Sequence, residues 1–136
     1  MKSLASFLIS LLAIMVISCK KEPTLVSEDL IPVNDCRVFN LGGDLLTCCL
    51  DSVIQDSRCP ENAVCIWQGV GVARFSVNMQ SKEHFITLAT DNVLHYRKDT
   101  SLAGFKIEMI NLLSGKDLHV PFTYDQYVAE VKITKR

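Results

Sequence analysis

The sequence predicts an all-β domain: an antiparallel β-sandwich or small barrel of about six or seven strands, stapled by disulfides. Three observations point there. Apolar and polar residues alternate over several short runs, turn-forming residues separate those runs, and five cysteines follow an N-terminal segment of export type. With 136 residues, the chain suffices for one domain with a core of its own, not for two of ordinary size.

Residues 1–18 read as a signal peptide. Lys2 precedes an almost unbroken apolar run from Leu4 to Ile17, shorter than the ~20 residues a spanning helix needs. The run ends in Val16-Ile17-Ser18-Cys19, which resembles the lipobox of bacterial lipoproteins, with Val16 where leucine is commoner. The resemblance implies cleavage before Cys19, a diacylglycerol on its sulfur and an acylated new N-terminus. Several acyl chains at ~0.8 kcal/mol per buried methylene make a stable anchor. A soluble secreted protein with Cys19 as an ordinary thiol is the plainer alternative.

Residues 19–33 read as a lipidated tether. They are charged, carry Pro23 and Pro32, and show no sustained periodicity. The start Cys19-Lys20-Lys21-Glu22 is similar to that of Bacteroidota-type lipoproteins, in which such residues accompany export to the cell surface. Lys rather than Asp follows Cys19, so the inner-membrane retention signal of enteric bacteria is absent. The expected location is the outer membrane, on its periplasmic or its surface side.

Residues 34–136 read as the single β domain. Leu41-Gly42-Gly43-Asp44 places two glycines where a two-residue hairpin turn needs positive φ. In that register Cys36 lies opposite Cys49 at a non-hydrogen-bonded site, where Cα atoms approach to ~4.5 Å, within disulfide reach. Cys48 then points to the other face with Leu46, Leu50 and Ile54, toward the core; a bulge would instead bring Cys48 to Cys36. Ala73 to Met79, His84 to Leu88, Phe105 to Met109 and Tyr127 to Ile133 follow as alternating runs. Turn signals separate them at Gln80-Ser81-Lys82, Asp99-Thr100-Ser101 and Ser114-Gly115-Lys116-Asp117.

The densest stretch is Asp56 to Gly69, where Cys59 and Cys65 enclose a short loop with Pro60 and the only tryptophan, Trp67, follows. A Cys59–Cys65 bridge is expected. The run Asp-Ser-Arg-Cys-Pro-x-x-x-x-Cys-x-Trp-x-Gly resembles an element of small uncharacterised lipoproteins of Bacteroidota-type bacteria. That resemblance takes in most of residues 36–136 and implies no activity; the cysteines at 36, 48 and 49, and Gln68, depart from it. Asp56 and Ser57 suit local backbone capping, and Arg58 suits a bidentate carboxylate contact. In one reading the loop is a staple with Trp67 packed on the bridge. In the other, Arg58, Glu61, Asn62, Trp67 and Gln68 form a rigid edge offered to a partner. The exposure of Trp67 separates the two.

Several function classes lose support. Without Lys2 the chain carries 13 basic against 15 acidic side chains, which disfavours nucleic acid as a partner. Five residues between Cys59 and Cys65 do not make a redox motif, and His84, His95 and His119 lack zinc-ligand spacing to either, so no metal or other cofactor is expected. Hydrolase and phosphate-loop motifs are missing, and Asp91 with His95 or Asp117 with His119 reads better as a solvated turn than as an acid-base pair. The expected function is therefore that of a lipid-anchored envelope protein, a non-enzymatic binding module for a protein or glycan. A proteinaceous inhibitor of an envelope or secreted hydrolase, a small hydrolase and a mere spacer are the alternatives. Cys19→Ser should move the protein from the membrane fraction to the soluble one; unchanged membrane retention would refute the anchor.

Overall fold

A computed structural model describes residues 26–60, 62–93, 95–115, 119 and 121–136. The signal peptide, Cys19, the first part of the tether, Glu61 and the Lys116-Asp117 turn lie outside the described residues. Eight strands follow in order: β1 (Val26–Pro32), β2 (Cys36–Leu41), β3 (Asp44–Asp56), β4 (Gly71–Met79), β5 (Lys82–Ala89), β6 (Asp99–Leu102), β7 (Phe105–Leu113) and β8 (Val128–Lys135). They form two four-stranded antiparallel sheets, β1-β8-β7-β6 and β2-β3-β4-β5. The result is the expected disulfide-stapled β-sandwich.

Followed around the two sheets, spatial order is chain order, and successive strands run in opposite directions. The sandwich is thus an up-and-down meander of eight strands folded flat, with β8 pairing back onto β1. One end carries the tight β2–β3, β4–β5 and β6–β7 turns, the start of β1 and the close of β8; it is called the turn end below. The opposite, loop end carries the β3–β4, β5–β6 and β7–β8 connections.

Alternation explains the core. Phe39, Leu46, Cys48, Leu50, Phe75, Val77 and Leu88 of one sheet meet Ile107, Met109, Ala129, Val131 and Ile133 of the other, all buried. Each of the four alternating runs falls in a strand, except that Tyr127 stands just before β8. The turn at Gly42 and Gly43 has φ of 69° and 96°, and the register it sets pairs Cys36 with Cys49. That pair is bridged at a Cα separation of 4.0 Å, with Cys48 a buried free thiol.

Four expectations need correction. Among the described residues the strands number eight rather than about six or seven. The tether does not extend to residue 33: Val26–Pro32 is strand β1, an edge strand whose Glu28, Asp29 and Leu30 face solvent and whose Ile31 is buried. Charged side chains on an edge strand erase the alternation that would reveal it. Asp99-Thr100-Ser101 is not a turn but β6, and the chain reverses at Ala103 and Gly104, with φ of 47° and 84°. Ile54 is 47% exposed, because register shifts after Leu50 and after Val53 turn β3 out of phase with the core.

Burial pushes the Cys48 thiol up to about 12, with Asp51 adding to it. An unfolded thiol ionises near 9.0 while the native one keeps its proton, so unfolding releases a proton across that interval. Stability should therefore fall from about pH 9 upward, at ~1.4 kcal/mol per pH unit for this group. Urea midpoints at pH 8, 9 and 10 check this, and Cys48→Ala should flatten the slope.

Candidate functional site

The β3–β4 connection begins at a carboxylate taken out of solvent. Asp56 closes β3 with its side chain only 2% exposed, a position a carboxylate tolerates only when fully partnered. Arg58 supplies three donors: its backbone N–H at 3.2 Å and Nε at 2.8 Å to Oδ1, and a terminal guanidinium nitrogen at 3.0 Å to Oδ2. The Tyr127 hydroxyl donates to Oδ2 at 3.0 Å. The remaining terminal nitrogen of Arg58 donates to the Leu112 carbonyl of β7. Leu112 belongs to the opposite sheet and Tyr127 stands immediately before its strand β8, so this clasp ties the two sheets together at the loop end.

The neighbourhood is shaped around the clasp. A Cβ on Gly71 would lie 2.9 Å from Leu112 Cδ2 and 3.0 Å from Arg58 Nε, so a larger residue would crowd both side chains where the guanidinium crosses the start of β4. Phe122 and Tyr124 meet the Tyr127 ring edge-on, at centroid distances of 4.9 and 5.6 Å. The Tyr124 hydroxyl accepts the Val53 N–H at 2.6 Å, which links β3 to the β7–β8 connection. Burial and the hydrogen bond donated to Asp56 push the Tyr127 hydroxyl well above the ordinary tyrosine range.

Above the clasp the loop is secured twice. Ser57 and Val70 face each other across its neck: Ser57 N–H donates to the Val70 carbonyl at 3.0 Å, and Val70 N–H donates to Ser57 Oγ at 3.0 Å. Gly69 lies so close beneath the Ser57 carbonyl that a Cβ there would overlap it. The Cys59–Cys65 bridge, with Cα atoms 5.9 Å apart, closes the tip.

What this base presents is apolar. Val64 and Ile66 are fully exposed and Trp67 is 60% exposed, its indole N–H donating to the Ser57 carbonyl at 3.3 Å. Cys65 lies between Val64 and Ile66; once its side chain turns to the bridge, both neighbours turn outward. That local logic was available in Val64-Cys65-Ile66 and points to two residues absent from the expected set. Val93, Leu113 and Tyr124 at the same end are also substantially exposed.

The expected edge is brought together only in part. Arg58 is turned inward, 22% exposed and committed to Asp56 and Leu112, so it supports the loop rather than facing a partner. Asn62 and Gln68 are exposed. The Gln68 amide donates to Asp91 Oδ2 at 3.3 Å, which couples the loop to the β5–β6 connection. Asp91 Oδ1 accepts the Asn92 N–H, so both of its oxygens are engaged away from His95. Among the described residues no group of three or more His, Cys, Asp or Glu side chains is arranged to hold a metal ion. The cavity beside the clasp, lined by Asp56, Arg58, Asn111 and Leu112 among others, measures about 70 Å³. That is room for water rather than for a substrate, whose sites run to ~300 Å³ and above.

Arg58→Ala would strand the Asp56 carboxylate. Breaking a buried pair costs ~3–5 kcal/mol, and partial exposure of Arg58 moves the expectation to about 2–3 kcal/mol. Denaturant unfolding should show that loss, with Arg58→Lys recovering only part of it because an ammonium cannot make the forked contact. Stability unchanged in Arg58→Ala would remove the clasp from this account.

Comparison with protein families, with curated proteins and with solved structures returns no match to this chain.

Proposed function

We propose that the protein is a lipid-anchored envelope protein whose stapled loop docks into an apolar cleft of a protein partner. One observation carries this reading: Val64, Ile66 and Trp67 are held in water by a bridge, a two-sided neck and a buried ion pair. Large apolar side chains kept in solvent on a rigid support suit association, since little conformational entropy remains to be lost on binding. Aromatic anchors of this kind dominate interface energetics. A packed-away Trp67 would have favoured the simple staple.

Placement supports the same reading. The loop lies at the opposite end of the strands from Val26, where the tether leads in. Strands of nine residues such as β4 span ~30 Å. A domain anchored through Cys19 would thus carry its apolar tip away from the bilayer, toward neighbouring proteins. Three exposed apolar side chains within four residues favour a protein over a glycan, whose hydroxyls need polar partners. The inhibitor reading is the special case in which the partner is a hydrolase and the tip fills its cleft.

A photoreactive side chain at position 66, introduced in the native envelope, tests the proposal. A discrete adduct lost on Val64→Asp or Trp67→Ala, with the thermal midpoint unchanged, is the expected result. Labelling at position 66 no greater than at an exposed strand site such as Asn78 would end the proposal. If the adduct is a hydrolase, its activity should fall when the protein is added and recover with Trp67→Ala. Proteolysis of an epitope placed after Arg136, on intact against permeabilised cells, tells which side of the membrane to search.

A further inference from the structure

The turn end carries a second feature, independent of the loop. Strand alternation places Lys82 and His84 on the same face of β5 as Ile86 and Leu88, toward the space between the sheets. It places Lys135 on the same face of β8 as Val131 and Ile133. Basic side chains therefore occupy inner-face positions of both sheets at this end, where apolar residues would have closed the core. Lys135 is neutralised by Asp44 at 2.6 Å, an ion pair running from one sheet to the other. Among the described residues Lys82 and His84 have neither an ionic nor a hydrogen-bonded side-chain partner.

Between these groups lies a cavity of about 650 Å³, with Met79 and Phe105 beneath, Leu45 and Ala103 at its sides and Arg136 at the rim. Its size falls within the ~300–1,000 Å³ of small-molecule sites. Met79 and Phe105 are at most 8% exposed and form the outer limit of the core, so the floor is apolar while the mouth is cationic. An apolar floor under the unpaired Lys82 ammonium, with the His84 imidazole beside it, selects a molecule with an anionic head and an apolar body.

We infer that the open turn end of the sandwich, between Lys82 and His84 on β5 and the Asp44–Lys135 pair, is a binding site for an anionic amphiphile. The head, a carboxylate or phosphate, is held by Lys82 and His84. The apolar part lies along Met79 and Phe105. The same chemistry is offered by a free fatty-acid type carboxylate and by an anionic lipid headgroup with its first methylenes.

Amide-resolved NMR titration of the full chain carrying Cys19→Ser, so that no acyl group of its own competes, provides the test. Dodecanoate is expected to shift the amides of Gly43, Lys82, His84 and Gly104 and to leave the Trp67 indole N–H unmoved. Lys82→Glu should weaken binding ~10-fold, as loss of a charge-assisted contact predicts, with an unchanged thermal midpoint because Lys82 is exposed. Inorganic phosphate should bind more weakly, since it lacks the apolar body. Equal binding by phosphate, shifts confined to the stapled loop, or no saturable shift at all would each overturn the inference. Sedimentation with phosphatidylglycerol against phosphatidylcholine vesicles separates the sources. Anionic vesicle binding lost in Lys82→Glu assigns the headgroup, and dodecanoate binding without it assigns a free amphiphile.

Discussion

The buried carboxylate of Asp56 is the constraint on which the loop end depends. Removed from solvent, it must be met by donors on every side, and the fold meets it with Arg58 from its own connection and Tyr127 from just before β8 of the facing sheet. Satisfying one charge therefore ties the β3–β4 connection to the facing half of the sandwich and leaves little room for a side chain at position 71. Pairs of this kind contribute more to geometry than to net stability, because desolvation offsets much of their attraction. The disulfide at the tip works on a base already aimed.

Much of this was legible in the sequence wherever one physical rule dominated. The Gly42-Gly43 turn determines the hairpin register, and from that register the Cys36–Cys49 bridge and the inward Cys48 follow by counting. The four alternating runs are strands because each has one buried face. Reading failed where rules compete. β1 is a strand through pairing with β8 rather than through its own pattern. β6 is built of Asp, Thr and Ser, which favour turns in isolation, and becomes a strand because it pairs with β7. Ile54 left the core through bulges that no local preference announces.

The candidate site was half legible for a similar reason. Two cysteines around a proline and a tryptophan identify a rigid, prominent loop. They do not say which side chains the loop keeps for itself. Arg58 is absorbed by Asp56, a residue two positions away whose burial depends on Tyr127, far off in the chain. Val64 and Ile66, apolar and thus easily assigned to a core, end in solvent because Cys65 takes the inward position between them. A long-range partner decided the first outcome and a covalent bond the second.

The pairing of β1 with β8 also has a mechanical meaning. Residue 26 lies at the turn end, whereas the stapled loop lies at the other, so a pull between them runs along the strands. Seven residue pairs join β1 to β8 over the whole length of β1. Such a load shears the ladder, straining its cross-strand bonds together instead of opening them one after another. A fold held at one end and loaded at the other in this way resists extension until the ladder yields as a unit.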